Sequence, residues 1–133
     1  MSDNEIPDLW PPDIAPELVR TPVSILRTQA TALGRRMSNV LEGEVRTTPE
    51  GDNFYHDFYV VVPTFGGYRY RLLRVFHDIK LYPVNVVSGA DRGKELQNEQ
   101  EFMTWLRNVF ASPDTQRLLG ALKSQAVQGT PAA

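Results

Sequence analysis

The stretches NFYHDFYVVVP (53–63), YRYRLLRVFHD (68–78) and KLYPVNVVS (80–88) decide the fold of this chain. Each is rich in β-branched and aromatic residues, and the first two alternate polar and apolar positions, as strands with one buried face do. Thr64-Phe65-Gly66-Gly67 joins these two with turn-forming residues, so they read as an antiparallel hairpin. Pro83 confines the third run to a sheet edge or the neighbourhood of a bulge.

Working outward, residues 39–48 alternate as a fourth strand, with Val40, Glu42, Glu44 and Arg46 on one side, and the cluster Pro49-Glu50-Gly51-Asp52-Asn53 turns the chain into the hairpin. Further upstream, Thr21-Pro22 reads as an N-cap and first helical position, followed by an apolar stripe of Val23, Leu26, Ala30, Leu33 and Met37. Arg35 and Arg36 suit the negative end of that helix dipole. Downstream, SGADRGK (88–94) is a polar loop, and 95–97 is a candidate for one short further strand. Asn98 with Glu101 resembles a capping box ahead of Phe102, Trp105, Leu106, Val109 and Phe110. Ser112-Pro113-Asp114 starts a last helix, with Leu118, Leu119 and Leu122 on its apolar face. The expected architecture is α+β: an N-terminal helix, a four-stranded antiparallel meander and two C-terminal helices packed on one sheet face. Residues 1–15 form an extended proline-rich arm, 16–126 the domain and 127–133 a flexible tail.

The 133 residues suffice for a single hydrophobic core, and 41% apolar with 23% charged residues is an ordinary globular balance. The chain has no cysteine, which excludes disulfides, thiolate metal sites and thiol nucleophiles and suits a reducing cytoplasm. A formal charge of −2 exerts no broad pull on nucleic acid or anionic membrane. The acidic start MSDNEIPDLWPPD lacks the basic and apolar regions of a signal peptide, and no apolar run is long enough to span a bilayer. A soluble cytoplasmic protein is expected.

A two-residue turn at Gly66-Gly67 would pair His56 with His77, Phe58 with Val75 and Val60 with Leu73. One face then carries Phe54, His56, Phe58, Val60, Val62, Leu73, Val75, His77 and Ile79, and belongs under the helices. The other carries Tyr55, Asp57, Tyr59, Tyr70, Arg74 and Phe76, with Arg74 over Tyr59. A longer, four-residue loop would shift partners by two without exchanging faces.

Tyrosine with arginine is the composition of recognition surfaces, although both aromatic and β-branched residues are ordinary strand formers. The candidate partner-binding residues are therefore Tyr55, Tyr59, Tyr70 and Arg74, joined by Trp10 of the arm. Ile6, Leu9, Trp10 and Ile14 are apolar enough to dock; the simpler reading packs the arm on its own domain, the sharper one folds it onto a partner. Arg69, Arg71 and Arg74 interleave with tyrosines as in single-strand nucleic-acid platforms, but alternation sends Arg69 and Arg71 away from the tyrosine face. His56 and His77 could share a metal, yet a third ligand is lacking, and the adjacent Asp57 and Asp78 point to the opposite face. No serine sits in a nucleophile elbow, no glycine run forms a phosphate loop, and no catalytic set or cofactor is assigned. The sequence thus reads as a non-enzymatic interaction module (adaptor, chaperone-like factor or inhibitor) that binds another protein or itself as a homodimer. A nucleic-acid-binding protein and an enzyme centred on His56 and His77 are the alternatives.

Overall fold

Thr21 Oγ1 accepts a hydrogen bond from the Ser24 N–H at 3.2 Å, and Pro22 takes the first helical position, so helix α1 runs Pro22–Arg36. The computed structural model describes residues 5–89 and 91–129. After α1 come strands β1 (Glu42–Glu50), β2 (Asn53–Val62), β3 (Tyr68–His77), β4 (Val84–Val87) and β5 (Arg92–Leu96). Helices α2 (Glu99–Ala111) and α3 (Pro113–Gln128) complete the fold. The first four residues of the arm, Ala90 in the polar loop and residues 130–133 of the tail lie outside the described residues. No helix among the described residues is long and apolar enough to cross a membrane.

The expected α+β arrangement is present, with one strand more than expected. The sheet has five strands in the order β1-β2-β3-β4-β5, every neighbouring pair antiparallel. The additional strand, RGKEL, buries only Leu96. Pairing with β4 forms it rather than an apolar face, which is why its sequence looks like a loop. Both C-terminal helices start where the caps foretold. Asn98 Oδ1 accepts from the Glu101 N–H at 2.9 Å, and Ser112 Oγ accepts from the Thr115 N–H at 3.2 Å. Glu101 reaches back to the Gln97 N–H, one residue earlier than the usual capping box.

The β2–β3 hairpin departs from the tight-turn register. A single 3₁₀ turn (Pro63–Phe65) followed by Gly66 at φ 64° and Gly67 at φ 75° makes the connection, so partners near its far end shift by two. His56 consequently faces Val75, and His77 faces Phe54. Between Phe58 and Tyr59 the register steps again: Phe58 pairs with Leu73 but Tyr59 with Arg71, leaving Leu72 as the extra residue of a bulge. One extra residue reverses the alternation of β3 beyond it. Tyr70 pairs with Val60 and shares its helix-facing side, whereas Arg69 and Arg71 pair with Val61 and Tyr59 on the open side. The expectation that Tyr70 joins Tyr55 and Tyr59 is therefore corrected, as is the separation of Arg69 and Arg71 from Arg74. Ile79 lies past the end of β3 and is 80% exposed, so it is not core.

Even-numbered positions of β2 point under the helices as expected, with His56, Phe58, Val60 and Val62 buried. The interior divides into two clusters. One joins Ile25 and Leu26 of α1 to Phe58, Val75 and Val86 of the sheet and Phe102 and Leu106 of α2. The smaller one joins Leu41, Val60, Val62 and Ala126, so α3 caps the hairpin end of the sheet. Gly43 allows α1 to lie directly on β1, because a Cβ there would sit 2.5 Å from the Ala30 Cα.

Candidate functional site

On the open side of the sheet, Asp57 is buried and its carboxylate accepts from Arg74 Nε at 2.7 Å and Nη2 at 3.1 Å. Arg71 stands 3.8 Å away. Glu44 accepts from both Arg46 and Arg69 at 2.7 Å, and these hydrogen bonds hold its carboxyl below the usual range. The rings nest among the guanidinium groups. Arg74 lies over Tyr55 at 5.3 Å and Arg46 over Tyr59 at 5.8 Å, while Tyr55 stacks on Phe76 at 5.1 Å. Arg74 thus covers Tyr55 rather than the expected Tyr59, a consequence of the two-residue register shift. The bulge gathers Arg69, Arg71 and Arg74 on one surface, but Glu44 and Asp57 already engage their charges.

His56 Nε2 and His77 Nε2 meet at 2.8 Å although the two residues are diagonal in the ladder. His77 Nδ1 lies 2.7 Å from the Asp78 carbonyl oxygen, which only accepts, so Nδ1 carries the proton. With both rings neutral, His56 Nε2–H then donates to His77, and the Thr47 hydroxyl donates to His56 Nδ1 across 2.9 Å. Burial above all, then the charges of His77 and Arg27, pushes the His56 pKa down to about 4. Every nitrogen of the pair is engaged. Two imidazoles on a tetrahedral zinc would stand about 3.3 Å apart, wider than this contact. No group of three metal-ligating side chains occurs among the described residues. The pair bolts β2 to β3 through a polar chain that ends in a backbone carbonyl.

The helix side holds a feature absent from the sequence reading. α1 stands on β1 and α2 on the other half of the sheet, and between them a cleft of about 500 Å³ opens onto Phe58, Val60 and Leu72. Leu33 of α1 and Met37 at its C-cap form one wall and Met103 and Phe110 of α2 the other, and Leu119 of α3 also lines it. Arg36 and Arg107 line it from opposite sides, with no acidic residue in the lining. Among the described residues neither arginine forms an ion pair. Sequence periodicity identified Leu33, Met37 and Phe110 as apolar stripe residues but carried no sign that the two helices would stand apart.

The arm lies off the domain. Residues 5–20 are all exposed, including Ile6 at 83%, Leu9 at 82% and Trp10 at 72%. The expectation that it packs on its own domain is corrected; its root alone is tied down, by Arg20 donating to both Glu99 carboxylate oxygens at 2.7 and 3.2 Å. Proline ends any chance of a helix there, and the segment folds locally instead. The Trp10 N–H donates to Asp8 Oδ1 at 3.0 Å, and the Ile14 N–H to the Pro11 carbonyl at 3.2 Å. Comparison with protein-family models, with curated proteins and with solved structures finds no match.

Proposed function

We propose that this protein is a small protein–protein interaction module whose docking surface is the apolar cleft between α1 and α2. The observation that carries the reading is the coexistence, in one small domain, of that open cleft with an arm of exposed large apolar residues. Monomeric proteins rarely leave two such surfaces uncovered. The cleft has the profile of a peptide-binding groove: apolar walls, adaptable methionines and a few charges for orientation. A cysteine-free chain suits work in a reducing cytoplasm. The tyrosine and arginine groups of the open sheet face support this reading less, because Tyr55, Tyr59 and Arg74 are committed to contacts within the sheet. The same pairing weakens the nucleic-acid alternative, since Arg69 and Arg74 would have to leave carboxylates to meet phosphates.

A photoreactive benzoylphenylalanine placed at Ala32 in the cleft, compared with one at the exposed Thr28 of the same helix, tests the proposal in cells. Polypeptide adducts concentrated at position 32 are expected. Equal adducts at both positions, or none at either, would contradict it.

A further inference from the structure

Resting on that reading, we infer that the occupant of the cleft is the N-terminal arm of a second copy of this chain, so that two molecules exchange arms reciprocally. Charge is the first argument. Glu5, Asp8, Asp13 and Glu17 are the only charged residues between positions 5 and 19, and the cleft offers Arg36 and Arg107 with no acidic neighbour in its lining. Steering and register would both follow from this complementarity.

Shape is the second. Asp8 bonding to the Trp10 N–H and Pro11 accepting from Ile14 hold residues 8–14 as a compact knuckle that presents Leu9, Trp10 and Ile14. A segment already shaped before docking loses less conformational freedom on binding. Tryptophan buries roughly 150–250 Å². With Leu9 and Ile14 each arm covers on the order of 400 Å², against a cleft wall of about half that area. Two reciprocal arms then bury on the order of 1,200 Å², the lower edge of a stable interface.

Exit geometry favours a second copy over the arm's own cleft. Thr21 is extended at φ −84°, ψ 154°, a conformation reinforced by Pro22, and Arg20 is pinned to Glu99 at the start of α2. The cleft wall runs along α1 from Ile25 to the C-cap Met37, away from that exit. An arm entering its own cleft would have to reverse beside the extended Thr21-Pro22 step and give up the exposed Arg20–Glu99 pair. Docking on a second copy can leave both in place, and a reciprocal exchange closes as a symmetric dimer.

The absence of cysteine makes the test direct. Ala15→Cys in the arm and Ala32→Cys in the cleft are prepared separately, mixed and oxidised. A disulfide-linked heterodimer of the two variants is expected, well above the homodimers each variant gives alone. Sedimentation velocity of the unmodified chain should show a concentration-dependent dimer, weakened roughly 30-fold by Trp10→Ala. A chain monomeric at every concentration would overturn the inference, as would dimerisation indifferent to Trp10. So would a double variant that closes an intramolecular disulfide at high dilution. If position 32 cross-links other polypeptides while the chain stays monomeric, arm exchange fails and the interaction reading stands. If position 32 yields no adduct at all, both fall.

Discussion

Arg74 grips the buried Asp57 with two parallel hydrogen bonds, while its own side chain remains 36% exposed. The two partners are therefore not equivalent. Removing Arg74 strands a carboxylate with only Arg71, 3.8 Å away, to answer it. Removing Asp57 frees an arginine that water can still reach. Arg74→Met should lower the unfolding free energy by about 2–4 kcal/mol and Asp57→Asn by about 1–2 kcal/mol. Urea denaturation of the two variants and their combination checks this; equal losses would mean that burial of Asp57 is not what the pair resolves.

The contact between Gly43 and Ala30 makes a second prediction. An added Cβ at position 43 meets the Ala30 Cα at 2.5 Å and its carbonyl oxygen at 2.7 Å, and neither belongs to a side chain that could swing aside. Gly43→Ala should force α1 off the sheet and destabilise the fold by about 1–3 kcal/mol. Gly120 lies inside α3 with nothing within 4 Å of its added Cβ. Gly120→Ala should stabilise by about 0.5–1 kcal/mol through helix propensity. Thermal unfolding of both variants measures the opposite signs.

Acid should weaken the fold through His56. In the unfolded chain this ring titrates near 6.5; in the folded one, burial first, then His77 and Arg27, hold it near 4, with Asp57 opposing. Between those values the unfolded chain takes up a proton that the folded chain refuses. Stability is thus full above pH 6.5 and is lost as pH falls towards 4, with about 2 kcal/mol gone at pH 5. Replacing His56 by glutamine should shrink the difference in unfolding free energy between pH 7 and pH 5 by that amount. An undiminished pH dependence in the variant would assign the effect elsewhere.

What the sequence revealed and what it concealed divide along physical lines. Caps are local, so Thr21, Asn98 and Ser112 announced the three helix starts correctly. Alternation is also local, and it placed Phe58 and Val60 in the core and Tyr55 and Tyr59 outside. The bulge is a property of two strands together. Its trace in the chain is the doublet Leu72-Leu73, two adjacent apolar residues in an otherwise alternating run, and missing it put Tyr70 on the wrong face. Of β5 only the end was legible, as the candidate strand at 95–97, because a short edge strand needs no apolar pattern. The cleft was hidden for a deeper reason: an apolar stripe states that Leu33 and Phe110 seek cover, not which surface provides it.

Methionine methyl resonances give the most direct test of the central claim, that the cleft receives an apolar, acidic segment. Met37 and Met103 line opposite walls, and Met1 is the only other methionine. A ¹³C-methyl-labelled chain carrying Trp10→Ala would be titrated with a peptide of residues 5–19 and, separately, with the same residues in scrambled order. Saturable shifts of the Met37 and Met103 signals are expected with the native peptide alone. Signals that stay fixed, or that move equally with the scrambled peptide, would contradict it.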